Sequence, residues 1–282
     1  MKLTRRALLT GALGLAAVGA AGVHGADRAQ LNFHSARLPG LARPLRVALL
    51  TDLHYGLYID AESVRAWVDL TIQARPDLIV VTGDLLDADV ARDAGPLLAE
   101  LSRLRAPLGV WGVWGNHDYG SFGKYARLGH SPRRENWRER QADFAGALAA
   151  AGLRVLNNDG VQVRDDLYLA GVDDFMQGEP DLGRALAGAG TGATLLLSHN
   201  PDLLPEVPQT VGLTLCGHTH GGQVRLPLIG AVTTASRYGE RFAQGWVEGP
   251  ARGFVSRGLG MTAVPLRLNC PAEVVVFDLR PG

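Results

Sequence analysis

The sequence predicts an α/β fold in which two mixed β-sheets pack face to face and helices flank them. Short apolar runs that suit buried strands alternate with amphipathic helix patterns in the first half of the chain, whereas strand patterns dominate its end. With 282 residues and 46% hydrophobic content, the chain is long enough to bury one large core. Polar side chains directly follow five of the apolar runs, at the edge where ligands bind in open α/β sheets.

The first 26 residues have the composition of an export signal. Arg5 and Arg6 open a stretch that is rich in Ala and Gly and has no acidic residue, and the paired arginines resemble a twin-arginine signal. Residues 7–26 are also about long enough to anchor the protein by crossing a bilayer. Cleavage and anchoring both stay open. Either one implies use of the twin-arginine export machinery and an exported, periplasmic or otherwise extracytoplasmic protein.

The charge balance argues against a nucleic-acid-binding protein, and the cysteine content argues against a disulfide-rich or thiolate-metal protein. The sequence has 28 basic and 28 acidic residues, and three of the bases (Lys2, Arg5 and Arg6) lie before residue 27. The remainder is slightly acidic, so no nucleic-acid partner is expected. Two cysteines, Cys216 and Cys270, are too few for a disulfide framework or a thiolate metal site. Buried free thiols are favoured for them, and a single bridge stays open.

Residues 27–43 are expected to be a linker, and residues 44–282 a single domain that opens with a buried strand over 47–53. Asp60 is placed to cap a helix over 61–75. Further helices are predicted at 97–104, 137–151 and 179–187. Further strands are predicted at 77–82, 108–114, 154–156, 161–163, 167–172, 194–197, 213–216, 223–226, 253–256 and 273–279. The later strands are expected to form a mainly antiparallel second sheet.

Residues 120–139 are polar and basic and are expected to form a surface excursion. The arginines of residues 133–140 are candidates for contact with anionic lipid headgroups, which makes membrane association a further expectation. An ordinary solvated surface is the alternative for this segment.

Asp52 and His54 follow the first strand with one residue between them. Because alternate residues of an extended strand point to the same side, both side chains can reach one metal ion. Each polar residue taken alone has an ordinary explanation as a turn or core residue, but their joint position favours a site for divalent ions. Imidazole, carboxylate and amide ligands without thiolate suit Mn, Zn, Fe or Mg. The polar residues after the other four strands are Asp84, Asn116, His117, His199, His218 and His220.

These motifs resemble those of the calcineurin-like metallophosphoesterases, a resemblance that implies an αββα sandwich. In the family's order, they are Asp52-Leu-His54, Gly83-Asp84, Gly115-Asn116-His117-Asp118, His199 and Gly217-His218-Thr219-His220. Within the family, the sequence is similar to an exported bacterial phosphodiesterase branch and to the UDP-diacylglucosamine pyrophosphatases. Residues 217–227, 256–260 and 265–267 carry that closer similarity.

The resemblance implies two divalent ions and a role for each motif residue. Asp52, His54 and His220 would hold one ion. Asn116, His199 and His218 would hold the other, and Asp84 would bridge the two. A hydroxide between the ions would attack phosphorus in line.

The resemblance also implies that His117 stabilises or protonates the leaving oxygen and that Asp118 orients its ring. Arg225 and Arg257 are candidates for binding a substrate phosphate, with a structural or surface role equally open. The function implied is a phosphodiesterase or pyrophosphatase acting on a lipid-linked or small phosphoester substrate. A phosphomonoesterase and a metal-bound binding protein without catalysis are the alternatives.

Overall fold

The computed structural model describes residues 28–90, 93–127 and 131–282, so the predicted leader over residues 1–26 lies outside the described part of the chain. Two six-stranded sheets form the framework. The first has the order β1-β14-β2-β3-β4-β5, with β1 Gln30–Leu38, β2 Leu45–Leu50, β3 Leu78–Thr82, β4 Val110–Val113, β5 Leu153–Val155 and β14 Glu273–Pro281. The second has the order β12-β13-β9-β8-β7-β6, with β6 Asp159–Arg164, β7 Leu167–Gly171, β8 Ala193–Leu197, β9 Leu213–Cys216, β12 Gly245–Val247 and β13 Gly253–Val255.

Short helices and one hairpin complete the fold. The α-helices are α1 Ala61–Gln73, α2 Gly95–Leu101, α3 Asn116–Phe122, α4 Trp137–Ala150 and α5 Leu182–Ala185. The 3₁₀ helices are Pro201–Glu206, His220–Gly222 and Gly239–Phe242, and the two-stranded hairpin pairs β10 Arg225–Leu226 with β11 Gly230–Ala231. Among the described residues, none of the helices combines the length and the apolar character that a bilayer crossing requires.

The alternation of side chains along the strands builds three apolar layers. In β2, Val47 and Leu49 pack between the sheets, together with Leu195 and Leu215 of the second sheet. Leu50 points the other way, into the layer that Trp67 of α1 shares with α2, α3 and α4. A third layer packs the outer face of the second sheet against α5 and the 3₁₀ helix Pro201–Glu206. The predicted α/β fold with two packed mixed sheets between outer helices is confirmed.

The second sheet differs from the prediction of a mainly antiparallel arrangement. Its inner strands β7, β8, β9 and β13 pair in parallel, and only the edge strands β6 and β12 are antiparallel to their neighbours. Parallel neighbours need crossover connections. Here α5, which lies within the predicted helix over 179–187, and the 3₁₀ helix Pro201–Glu206, which was not predicted, supply two of them.

The predicted linker over residues 27–43 is also corrected. Residues Gln30–Leu38 form an edge strand that pairs in parallel with β14, so the folded domain begins before residue 44. An edge strand buries little of its surface, and its residues here are mostly half-buried or exposed. The prolines that favoured a linker, Pro39 and Pro44, lie after the strand.

The predicted surface excursion over residues 120–139 is partly folded into the domain. Gly120, Ser121 and Phe122 are buried as the end of α3. Arg134 and Arg140 both donate to the buried carboxylate of Asp89, which ties the segment down. Arg134 and Arg140, both from the arginine-rich residues 133–140, therefore have a structural partner, so the expected contact with lipid headgroups finds no support in these two side chains.

Candidate metal centre

The predicted ligands lie where strands β2, β3, β4, β8 and β9 end, on one edge of the two packed sheets. The backbone there is left-handed at several of them. Asp52, His54 and Asp84 have φ angles of 54°, 50° and 51°, and His218 and His220 have 73° and 52°. Residues other than Gly adopt such angles at a cost of roughly 1–3 kcal/mol each, and the cost is typical of functional sites.

This geometry corrects the prediction that Asp52 and His54 converge because they share an extended strand. Strand β2 ends at Leu50, and the two residues lie in a bent loop beyond it. Backbone hydrogen bonds fix the loop, since Asp52 N donates to Gly83 O and His54 N donates to Asp84 O.

A first group of ligand atoms comes from Asp52, His54 and His220, which are all buried. His54 Nε2 lies 2.9 Å from His220 Nε2, and His220 Nε2 lies 3.4 Å from Asp52 Oδ1. Two ring nitrogens and a carboxylate oxygen thus point at one small volume. A cation between them would satisfy all three groups at once.

A second group comes from Asp84, His199 and His218. His199 Nε2 lies 3.2 Å from Asp84 Oδ2 and 3.2 Å from His218 Nδ1. The other nitrogen of His199, Nδ1, is 2.7 Å from Thr82 O, a contact that sets the orientation of the ring. Burial alone would lower the pKa of His199, but the charge of Asp84 raises it to about 10. Burial lowers the pKa of His218 to about 3, so its imidazole is neutral at pH 7.

Asp84 stands between the two groups. Its Oδ2 lies 3.5 Å from His54 Nε2 as well as 3.2 Å from His199 Nε2, while its Oδ1 accepts a hydrogen bond from His117 N at 2.8 Å. Six of the seven predicted ligands therefore come together in two adjacent groups that one carboxylate connects.

Asn116, the seventh predicted ligand, is buried, and its Oδ1 has no hydrogen-bond partner among the described residues. A buried amide oxygen without a partner is costly unless something else binds it. Its position at the end of β4 and its oxygen chemistry fit a divalent cation, as do the two groups above.

Two glycines permit this close packing of loops. A Cβ atom on Gly115 would collide with the carboxylate of Asp84, and one on Gly217 would collide with Thr51 and the carboxylate of Asp52. The glycines of the Gly-Asn-His and Gly-His-Thr-His motifs are thus needed because the ligand carboxylates pass directly over them.

His117 lies beside these groups with its side chain 20% exposed, so it can meet a substrate. Its Nδ1 is 2.8 Å from Asp87 Oδ1, and Arg127 Nη2 donates to the same oxygen at 2.5 Å. Burial would raise the pKa of the Asp87 carboxyl, but the hydrogen bond from His117 and the nearby His54 and Arg127 lower it well below its usual range. The ionised carboxylate holds the proton of His117 on Nδ1 and leaves Nε2 free for chemistry.

Asp87, His54 and His117 also form a third cluster of ligand atoms. The guanidinium of Arg127 already neutralises Asp87 there. A hydrogen-bond network that orients His117 is therefore the better explanation of this cluster than a third metal site.

Residues 45–222 match the sequence profile of the calcineurin-like phosphoesterases. The chain belongs to this family. Metallophosphoesterase YkuE of Bacillus subtilis is 30% identical over 99% of this chain and 98% of its own length. Phosphodiesterase YaeI of Escherichia coli is 29% identical over 84% of this chain and 83% of its own. Among solved structures, a 5'-nucleotidase precursor from Thermus thermophilus aligns with 83% of this chain and 55% of its own at 14% identity and a TM-score of 0.47.

The protein is thus a metal-dependent phosphoester hydrolase, and the two ligand groups are its candidate metal centre. The structure contradicts the role that the resemblance implies for Asp118 in this phosphoesterase. Asp118 does not orient His117, because neighbouring residues of a helix point in different directions. Its buried carboxylate accepts hydrogen bonds from Leu86 N and Gly115 N, both at 3.0 Å, which closes the loops that carry Asp84 and Asn116.

Burial and the nearby charge of Asp84 raise the pKa of Asp118 to about 7. Asp87 is the carboxylate that contacts His117, and no role is predicted for it from the sequence. Its spacing in Gly83-Asp84-Leu85-Leu86-Asp87 could have revealed it, because the strand end brings Asp87 back toward the site.

The two candidate phosphate-binding arginines of the phosphoesterase have other partners. Arg225 donates to Gly221 O and to Glu240, and Arg257 donates to Glu273 at 2.6 Å. Their role in substrate binding stays a prediction. Arg267 is buried and its Nη2 lies 3.2 Å from His220 Nδ1, so it supports a ligand from behind. Cys216 and Cys270 are free and buried, as the sequence favoured.

Proposed function

We propose that this phosphoesterase holds two divalent cations and hydrolyses phosphodiesters or pyrophosphates, with a lipid-linked or small phosphoester as its substrate. The observation that carries the proposal is the position of Asp84 Oδ2, within 3.5 Å of His54 Nε2 in one ligand group and 3.2 Å of His199 Nε2 in the other. Such a pair of cations, when bound, lowers the pKa of water and neutralises charge on phosphoryl oxygens. The residues Asp52, His54, His220, Asn116, His199 and His218 would hold them, with Asp84 shared.

The chain supplies the proton transfer that the leaving group needs. His117 faces the same volume, and Asp87 holds its Nδ1 proton in place. As an imidazolium, His117 carries a second proton on Nε2, and this is the proton that it would donate to the departing oxygen. General acid catalysis of this kind contributes about 10²–10⁴-fold.

The experiment combines metal analysis with hydrolysis of bis-p-nitrophenyl phosphate after loading with Mn. We expect two Mn ions per chain and diester hydrolysis. In His117→Ala, we expect turnover of a diester with an alkoxide leaving group to fall about 10²–10⁴-fold while both ions stay bound, because p-nitrophenolate leaves without a proton and an alkoxide does not. His34→Ala, which removes an imidazole from β1, serves as the matched control and should keep both metal and activity.

Other outcomes point to other functions. Hydrolysis of monoesters alone would make the protein a phosphomonoesterase. Bound metal without hydrolysis of any phosphoester would make it a binding protein on the same fold. A single ion per chain in an active enzyme would contradict the dinuclear centre.

We also propose that the enzyme is exported through the twin-arginine machinery. The basic pair and the acid-free, Ala/Gly-rich stretch after it support this proposal. Replacing Arg5 and Arg6 by Lys should leave the enzyme in the cytoplasmic fraction, and secretion that is unaffected by the double change would overturn the proposal.

A further inference from the structure

An apolar cleft of about 370 Å³ opens directly beside the metal ligands. His218, from the second ligand group, and His220, from the first, both form part of its lining. The other walls come from residues 222–224 and 232–235 of the hairpin segment and from residues 262–264. Whatever occupies the cleft therefore lies next to the point where the two ligand groups meet.

The lining of the cleft is apolar. Val224, Val232, Ala235, Ala263 and Val264 contribute its carbon surface. Across the described residues, its lining includes no Asp, Glu, Lys or Arg side chain. Four threonines and Gln223 also line the cleft, but the surface that the lining exposes is mostly carbon. A nucleotide or a second phosphate would need cationic side chains at this place, whereas a hydrocarbon chain gains free energy from such walls.

The cleft is built into the fold and does not depend on a ligand to form. The buried side chain of Gln223 donates to Thr262 O at 3.0 Å and to Val264 O at 2.9 Å, and it accepts from Thr262 N at 3.0 Å. These three hydrogen bonds join the two walls. A preformed cleft binds without an ordering cost, as binding sites usually do.

Apolar side chains continue outward from the mouth of the cleft. Val232 is 63% exposed and Val264 is 47% exposed, and at the tip of the hairpin Ile229 is 71% exposed and Leu228 is fully exposed. A group of exposed branched side chains next to a catalytic centre marks a surface that meets an apolar partner.

We propose that this cleft binds the hydrocarbon part of the substrate, so that the enzyme acts on amphiphilic phosphodiesters or pyrophosphates. The inference rests on the proposed function, since the phosphoester must reach the metal centre beyond His218 and His220. It narrows the substrate to molecules with an apolar chain attached close to phosphorus.

The test uses p-nitrophenyl methyl phosphate and p-nitrophenyl hexyl phosphate with the Mn-loaded enzyme, below the concentration at which the hexyl ester forms micelles. Burial of one methylene changes affinity by about two- to fourfold. We therefore expect kcat/KM for the hexyl ester to exceed that for the methyl ester by roughly 30-fold or more. Equal values for the two esters would overturn the inference and leave the proposed function intact, whereas inertness toward both would remove the proposed function.

Substitutions in the cleft walls test whether the preference for the hexyl ester arises in the cleft. Val232→Asp and Val264→Asp should each bring the ratio of the two kcat/KM values to within about threefold of one, because a carboxylate in the wall opposes burial of the chain. Ile72→Asp is the matched control, since Ile72 is 42% exposed on α1 and lies outside the cleft. It should keep the wild-type ratio. A ratio that stays at the wild-type value in both cleft variants would assign the chain-length effect to another surface.

Discussion

The metal centre and the apolar cleft share His218 and His220 but are built in opposite ways. In the metal centre, every predicted ligand is buried, and the ligands come from loops that five strand ends hold in place. In the cleft, Val232 and Val264 are largely exposed, and the walls come from a hairpin of two residue pairs and a loop.

This difference assigns the two regions different tasks. Strand ends in the middle of packed sheets cannot move independently, which suits side chains that must meet within a few ångströms of one another. Loops outside the sheets can change in sequence without disturbing the core, which suits the choice of substrate. Changes in the first region should therefore affect the chemistry, and changes in the second should affect which substrate is preferred.

The largest effect is expected for Asp84→Asn, which changes the group that connects both sets of ligands. An amide lacks the charge that holds cations, so we expect metal content to fall and kcat to fall by about 10³-fold or more. Metal analysis and diester hydrolysis check this outcome. Asp278→Asn is the control, because Asp278 pairs with Arg46 far from the ligands. An Asp84→Asn enzyme that keeps two ions and full activity would remove the distinction between the two regions.

A smaller loss is expected for Asp87→Asn, because Asp87 acts through His117. Groups that orient a catalytic or ligand side chain typically contribute about 10–100-fold, and we expect kcat to fall by that amount with metal content unchanged. Asp118→Asn provides the contrast. It should lower the free energy of unfolding, because an amide no longer accepts both backbone N–H bonds equally well, and its pH–rate profile should keep the wild-type shape. An Asp87→Asn enzyme with the wild-type kcat would show that His117 needs no orienting carboxylate.

Metal affinity should depend on pH through His199. Its pKa is raised to about 10 in the metal-free protein, so at pH 7 a cation must displace a proton. Lowering the pH favours the proton and weakens metal binding, by about tenfold in Kd per pH unit for one proton released. Calorimetric titration with Mn in buffers of different ionisation enthalpy measures the protons released. Proton-independent binding between pH 6 and 8 would contradict the assignment of His199 as a ligand.

The smallest effect on chemistry is expected for Gln223→Leu in the cleft region. The change removes the hydrogen bonds that join the cleft walls, at a cost of about 1–3 kcal/mol in the free energy of unfolding. Denaturant unfolding measures that cost. We expect kcat for p-nitrophenyl methyl phosphate to change by less than about threefold, because the Gln223 side chain hydrogen-bonds to Thr262 and Val264 and to no predicted metal ligand. A loss as large as that of Asp87→Asn would show that the two regions are one functional unit.

The sequence was sufficient to predict the layered fold and the residues that come together at the site, because both predictions depend on local patterns. Asp60 caps α1 as predicted, with its side chain accepting from Ser63 N, and β9 has the predicted bounds. The motif residues follow strands, and parallel strands place their ends on one edge. The errors occur where the pattern is weak, as in the half-buried strand β1 and the parallel pairs of the second sheet.

The identity of the candidate ligands and the presence of a strand before each of them were therefore predicted from the sequence itself. Only the tertiary structure decided that Asp87, and not Asp118, contacts His117, and that Gln223 joins two walls into an apolar cleft. The physical reason is the separation along the chain between the residues involved. A strand and the residue that follows it are adjacent in the chain, whereas side-chain directions on left-handed loops and contacts between distant loops depend on how the whole chain packs.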